Sequence, residues 1–383
     1  MFKSTLFLMI IFLAAHSRFF AENWKEELYN KATGGYTPWW AKEQIDEDLA
    51  PFRSGISKQQ LDDTMSSPTA NEALLVRYTI SNGKISVQPA PFPAYKWIEL
   101  FKGRLQSLTN SLDQLNQCIK LPDVDFIVSL YDDCTTFLKK EFKAPVFSFA
   151  KDKIQDSCIV LMPDFENLED RTNVFKEIES GNLKYPWHAK VNKAFWRGAT
   201  TGVIKRTNGV FDTRYTPTNY WEFPRVKLIQ LSLAFPGLID AKFNCLCQGA
   251  EQLNLQFNGF FGKTIPISQH LKYKYQVLID GNSCAYSRAY WELFSGTVIF
   301  KQTSDNIQWY YRALQPYIHY IPINNDLSDL IEKIKWARMH REEVFKIAQN
   351  AKKFAEANLQ PSDVYFYFYL VLQEYAKLLK EQL

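Results

Sequence analysis

One continuous stretch, Lys272 to Gln302, constrains the fold of this chain more than any other. Its apolar, aromatic run from Tyr273 to Ile279 predicts a buried parallel strand, and Asp280-Gly281-Asn282 a turn. Ser287 stands at the N-cap position of a helix that continues Arg288-Ala289-Tyr290-Trp291-Glu292-Leu293 and is stopped by Gly296. Thr297 to Lys301 reads as a second short strand. Strand, glycine turn, helix and strand form a βαβ unit, which demands a parallel sheet and points a helix N-terminus at the ligand crevice. Free N–H groups there favour an anion, and Arg288 adds a guanidinium fork suited to phosphate. An ordinary α/β unit with a surface arginine fits the same local pattern.

The 383 residues give room for two domains, and 46% hydrophobic against 22% charged residues is a globular balance. A net charge of +4, without any Lys/Arg block, argues against nucleic acid as a partner. Met1, Phe2 and Lys3 followed by an apolar run from Leu6 to Ala15 predict a signal peptide over residues 1–21. The rival reading is an uncleaved anchor. The expectation is an exported or membrane-associated protein with peripheral membrane contact through its N-terminus, or a cytoplasmic one if the leader is an uncleaved anchor or not a signal. Cysteines 118, 134, 158, 245, 247 and 284 are irregularly spaced and lack paired zinc-type separation, so no metal site is expected from them.

In chain order, Asn23 to Ala32 and Glu43 to Phe52 read as helices, the second stopped by Pro51. Ser57 caps a third, and Leu75 to Ile80, Asn82-Gly83 and Lys84 to Val87 make a hairpin. A Pro-rich linker, Pro89 to Tyr95, leads to a long amphipathic helix from Trp97 to Leu115. Four short apolar runs follow, each predicted as a strand with polar residues at its end. They are Val124 to Leu130 before Tyr131-Asp132-Asp133, Ala144 to Phe149, Cys158 to Met162 before Pro163-Asp164-Phe165, and Ala194 to Trp196 before Arg197-Gly198. Functional side chains gather at such carboxyl ends in open α/β sheets. Residues 22–205 are therefore read as a first Rossmann-like domain, 206–358 as a second, and 359–383 as a C-terminal helix. The aromatic face of that helix, Tyr365, Phe366, Phe368 and Tyr369, needs the first domain to cover it.

Taken together these motifs resemble glycosyltransferase family 90, which includes Rumi-type protein O-glucosyltransferases, capsule-associated transferases and lipopolysaccharide-core transferases. The resemblance rests on Gln44 to Ser57, Val124 to Asp132, Pro145 to Phe149, Met162 to Phe165, Ala194 to Gly198, His270, Lys272 to Tyr275, Asp280-Gly281, Ser287-Arg288 and Ile318 to Ile323. It implies a GT-B fold, in which two Rossmann-like domains face each other across a cleft. It also implies a UDP-sugar donor and inverting, metal-independent transfer to a hydroxyl of a glycan of lipopolysaccharide type or of a protein. Glucose or xylose is the expected sugar, and no cofactor is expected. Asp132 matches the family's catalytic base, with Asp133 the second choice; Asp133, Asp164 and Phe165 fall on the acceptor side. Arg197, Gly198, Thr200, Asp280, Gly281, Ser287 and Arg288 fall on the donor side, the two glycines letting backbone approach the donor. The chain departs from the glucosyltransferases in having Thr200-Thr201 where they carry a second arginine, and threonine cannot neutralise a phosphate. A catalytically inactive relative that binds glycans or nucleotide sugars is the alternative. A dinucleotide or P-loop enzyme is excluded by the lack of GxGxxG and GxxxxGK[ST].

Overall fold

The computed structural model describes residues 23–89, 98–132, 142–205, 211–257 and 259–380. The leader, most of the Pro-rich linker, Asp133 and Cys134 lie outside the described residues. Among the described residues no helix is long and apolar enough to cross a membrane.

Three helices open the fold: α1 (Trp24–Thr33), α2 (Trp39–Leu49) and α3 (Lys58–Met65). The predicted Ser57 cap forms, as a reciprocal capping box with Gln60. Strands β1 (Leu75–Ser81) and β2 (Lys84–Pro89) make the expected hairpin. Its two turn residues have φ of 51° and 73°, the left-handed geometry that Asn-Gly accepts most easily. Helix α4 (Ile98–Cys118) then leads into β3 (Val124–Ser129), β4 (Val146–Ser148), β5 (Lys151–Asp152) and β6 (Ile159–Leu161). The first sheet runs β2-β1-β3-β4-β6, parallel from β3 onward. Helix α2 docks on it through buried Asp48, which accepts from Lys151 and from the Leu161 N–H, the latter at 2.8 Å.

After α5 (Thr172–Lys184) come β7 (Val191–Ala199), the β8 (Ile204–Lys205) and β9 (Phe211–Asp212) pair, α6 (Pro224–Ala234), β10 (Ile239–Cys245) and α7 (Ile267–His270). The opening stretch follows as β11 (Tyr273–Leu278), α8 (Tyr286–Phe294) and β12 (Val298–Gln302). Then come β13 (Asn306–Ile307), β14 (Ile321–Ile323), α9 (Leu330–Met339), α10 (Arg341–Asn358) and α11 (Pro361–Ala376). The second sheet, β10-β7-β11-β12-β14, is parallel throughout. In order of appearance that is 2-1-3-4-5, a doubly wound plan whose switch point lies between β7 and β11.

Two sequence expectations change. The division read at 205/206 placed β7 in the first domain, yet β7 pairs with β10 and β11 at the centre of the second sheet. A short apolar run announces burial but not which sheet will bury it. Ser287 is not the N-cap either: Ala285 holds that position and Ser287 lies inside α8.

The halves are tied together. β5 of the first pairs antiparallel with β13 of the second, and Lys205 reaches across to Asp152. Trp309, in the segment after β13, packs against Trp40 of α2 and Tyr367 of α11. Helix α11 returns to the first half: Tyr365 stacks on Trp24 at 4.6 Å, and Tyr375 donates to the Asp125 carbonyl at 3.1 Å. Burying each such aromatic side chain contributes about 1.5–3 kcal/mol.

Candidate active site

Asp132 follows the end of β3, where the chain emerges from buried Leu130, and its side chain is 28% exposed. Arg104 of α4 holds it: Nη2 donates to Asp132 Oδ1 at 2.6 Å and to the Tyr286 hydroxyl at 3.2 Å, while Nη1 donates to the Leu130 carbonyl at 2.8 Å. Burying a guanidinium is costly unless its donors and charge are met. Here the carboxylate meets the charge, and the rings of Phe101, Phe149 and Phe165 lie 5.5–5.7 Å from it. The other carboxylate oxygen, Oδ2, accepts from Asn282 Nδ2 at 3.3 Å. Asn282 belongs to the turn after β11, so the two halves meet at this carboxylate.

The crevice at the β7/β11 switch point is occupied by Arg225, the second residue of α6. It donates to the carbonyls of Ala199 and Asp280, each at 2.9 Å, and to Thr201 Oγ1. Burial, and then neighbouring Arg288, pull its guanidinium down to about 10. Arg288, in the first turn of α8, donates through Nη2 to the Arg197 carbonyl, and its Nη1 has no hydrogen-bond partner. Its ionic neighbour is Glu292, one helical turn on, at 3.6 Å. Glu292 is fully buried with neither oxygen hydrogen-bonded, and burial pushes it up to about 7 despite Arg288. His270, on the same side, is held neutral, pulled down to about 3 by burial and by Arg288 and Arg197. A cavity of about 640 Å³ opens at these strand ends. Asp280, Gly281, Asn282, Lys205 and Lys227 line it; its walls do not include Asp132 or Arg288.

Several predicted site residues prove to serve the protein itself. A Cβ on Gly281 would lie 2.8 Å from Arg225 Nη2 and 2.9 Å from Thr201 Oγ1; one on Gly198 would lie 2.5 Å from the Trp196 ring. These glycines make room for side chains of the chain, and Gly281 also lines the cavity. Thr200 is buried, its hydroxyl accepting from the Cys247 N–H at 2.8 Å and donating to the Cys247 carbonyl at 2.9 Å. Arg197 pairs with Asp240 at 2.7 Å and stacks on Phe195. Asp280 accepts from Asn306 at 2.9 Å, and burial raises its carboxyl. Asp164 is buried and closes its own turn on Asn167, and burial pushes it up to about 7; Phe165 forms a wall beside Arg104.

Arg104 and Arg225 were not singled out from the sequence, and Asn282 was read only as part of the turn after β11. Arg104 carried a readable signal: it falls on the apolar stripe of α4, three residues after Phe101 and four before Leu108, both buried. A charge on such a face must have a partner. Arg225 carried none that a solvated residue would not share, and Asn282 only its place at a strand's carboxyl end.

Fold and site define a class: a two-sheet α/β protein with an arginine-filled switch point in one sheet, and a carboxylate set against it from the other. The chain belongs to glycosyl transferase family 90, whose model matches residues 40–383. It is 29% identical to protein O-glucosyltransferase 2 of Danio rerio over 344 residues, 88% of this chain and 62% of that protein. Protein O-glucosyltransferase 3 of Homo sapiens is 31% identical over 347 residues, 87% of this chain and 61% of that protein. The chain thus spans less than two thirds of the length of these two relatives. Human protein O-glucosyltransferase 1 is 25% identical over 349 residues, 88% of this chain and 79% of that protein. The structure of Anabaena HepE in complex with UDP-glucose aligns over 69% of this chain and 66% of its own, at 10% identity and a TM-score of 0.36. That likeness is too weak to assign anything to this site.

Proposed function

We propose that the chain transfers a sugar, glucose or xylose, from a uridine-diphosphate sugar to a hydroxyl of a protein or glycan, by one inverting displacement that uses no metal ion. The observation that carries this reading is the placement of Asp132 beside Asn282 at a switch point where Arg225 and Arg288 converge. The relatives are named protein O-glucosyltransferases, which supports glucose as the sugar and a protein hydroxyl as the acceptor. In this reaction Asp132 Oδ2 takes the proton of the acceptor hydroxyl while the acceptor oxygen bonds to the anomeric carbon. The bond from that carbon to the diphosphate breaks on the opposite face, and its electron pair leaves with uridine diphosphate. Arg288 meets the charge that develops through its positive field and its place in the first turn of α8; its Nη2 donates to the Arg197 carbonyl and its Nη1 faces Glu292 Oε1 at 3.6 Å. Arg225 is already engaged with the backbone; it holds the crevice in shape and adds to its positive field.

The test is uridine-diphosphate release from UDP-glucose and UDP-xylose by wild type and by Asp132→Asn. The reading expects release by the wild type and a loss of about a hundredfold or more in the variant. Equally slow release by both would leave a binding module instead. Melting-temperature shifts across a panel of nucleotide sugars identify the donor, since a ligand of the native state raises the transition.

A further inference from the structure

Asn282 is neither a base nor a cation, yet it touches the carboxylate assigned the central chemical role. Its orientation is settled from the far end of a short chain of hydrogen bonds. The Gly202 N–H can only donate, and it donates to Gln248 Oε1 at 2.9 Å. That turns Gln248 Nε2 outward, where it donates to Asn282 Oδ1 at 2.9 Å. Asn282 is thereby left with Nδ2 facing Asp132 Oδ2 at 3.3 Å. Every link has one allowed direction, so no amide in the chain can flip without losing a bond. Gln248 is itself over-determined. Its φ is 57°, a conformation that non-glycine side chains rarely adopt, and its carbonyl accepts from the Tyr215 N–H at 2.8 Å.

We infer that Gln248 and Asn282 form a positioning relay that aims Asp132 Oδ2 at the acceptor hydroxyl. This rests on the reading of Asp132 as the base. Arg104 fixes Oδ1 from the same half of the molecule, and Asn282 fixes Oδ2 from the other. Oδ2 has a second lone pair, so it can keep the Asn282 bond and still receive the acceptor proton. Because Asn282 also lines the cavity at the end of β11, the base is in register only when the donor-side turn is in place. Arg104 and Tyr286 are ionisable groups that face Asp132.

The experiment measures kcat, donor KM and the pH profile of sugar transfer for Asp132→Asn, Asn282→Ala, Asn282→Asp, Gln248→Ala and the double variant Asn282→Ala/Gln248→Ala. Asn282→Ala is expected to lower kcat about tenfold or more, with donor KM changed by less than about threefold, because misaimed groups cost rate before binding. Asn282→Asp is expected to move the acidic limb of the profile to higher pH, since a second carboxylate beside Asp132 favours its protonated form. The double variant is expected to be no slower than Asn282→Ala alone, the mark of one coupled unit. An unmoved acidic limb, additive losses, or a raised donor KM at unchanged kcat overturns the relay while leaving the base intact, provided Asp132→Asn is inactive. Full turnover by Asp132→Asn overturns both. If Asn282→Asp does not fold, the kcat and coupling measurements on the alanine variants decide.

Discussion

Arg104 Nη2 stands 2.6 Å from Asp132 Oδ1, although one residue sits in the middle of a long helix and the other past the end of a strand. The contact joins the packing of the first half to its chemistry, because the same guanidinium also binds the Leu130 carbonyl that shapes the approach to Asp132. Arg104→Met keeps most of the side-chain volume and removes the charge. It leaves a partly buried carboxylate unpaired, and the expected cost is about 3 kcal/mol in urea unfolding, together with loss of sugar transfer. A variant as stable as wild type would show that the pair contributes nothing net.

Gly281 and Arg225 form a second close pair. Gly281→Ala places a methyl 2.8 Å from a buried guanidinium that is pinned by two backbone carbonyls. It is expected to destabilise the protein by about 1–3 kcal/mol, as overpacking does. Gly237→Ala is the control, because a Cβ there meets nothing within 4 Å. Equal unfolding midpoints for the two variants would remove the crowding argument.

Arg288→Lys keeps the charge and loses the fork. One nitrogen of Arg288 already serves the Arg197 carbonyl, so a single ammonium cannot both hold that oxygen and offer a second directed donor. Calorimetric titration with uridine diphosphate is expected to show affinity lower by about tenfold. Unchanged affinity would take Arg288 out of the donor site.

Glu292 makes stability depend on pH with a definite sign. Its carboxyl is raised in the folded protein from 4.5 to about 7, so between those values the native state holds a proton that the unfolded chain has released. Stability therefore falls as pH rises through that window, and Asp164, also raised to about 7, adds a contribution of the same sign. The guanidinium of Arg288 is lowered as well, so for both partners burial outweighs the attraction between them. Glu292→Gln is expected to flatten the fall in melting temperature between pH 5 and pH 8 relative to wild type. Parallel curves for the two proteins would mean that Glu292 does not titrate in that range.

The sequence was most informative where local chemistry leaves few choices. Asn82-Gly83 between two alternating runs allows little but a hairpin, Ser57 with Gln60 is a helix start, and a helix bearing Tyr365, Phe366 and Phe368 has to be covered. The βαβ unit from Tyr273 to Gln302 was legible for the same reason, down to its second strand. Where a residue's role depends on a partner distant in sequence, local pattern failed. β7 could have joined either sheet. Gly198 and Gly281 were singled out for a donor, but the atoms that leave no room for a Cβ there belong to Trp196, Arg225 and Thr201. The place of Arg104 on an apolar stripe announces that it needs a partner but not which one, Arg225 announces nothing, and only the folded chain brings them against Asp132 and the switch point.

The short ladder between β5 and β13 bears on how such a chain can be handled and inherited. Each of these two-residue strands draws its partner from the other half, so neither half alone presents a finished surface. Separated, each would expose backbone donors and acceptors, and the aromatic groove that receives Trp309 would open to water. Two five-stranded sheets stand apart among the described residues, but a piece of this protein that keeps the β5–β13 ladder intact contains both.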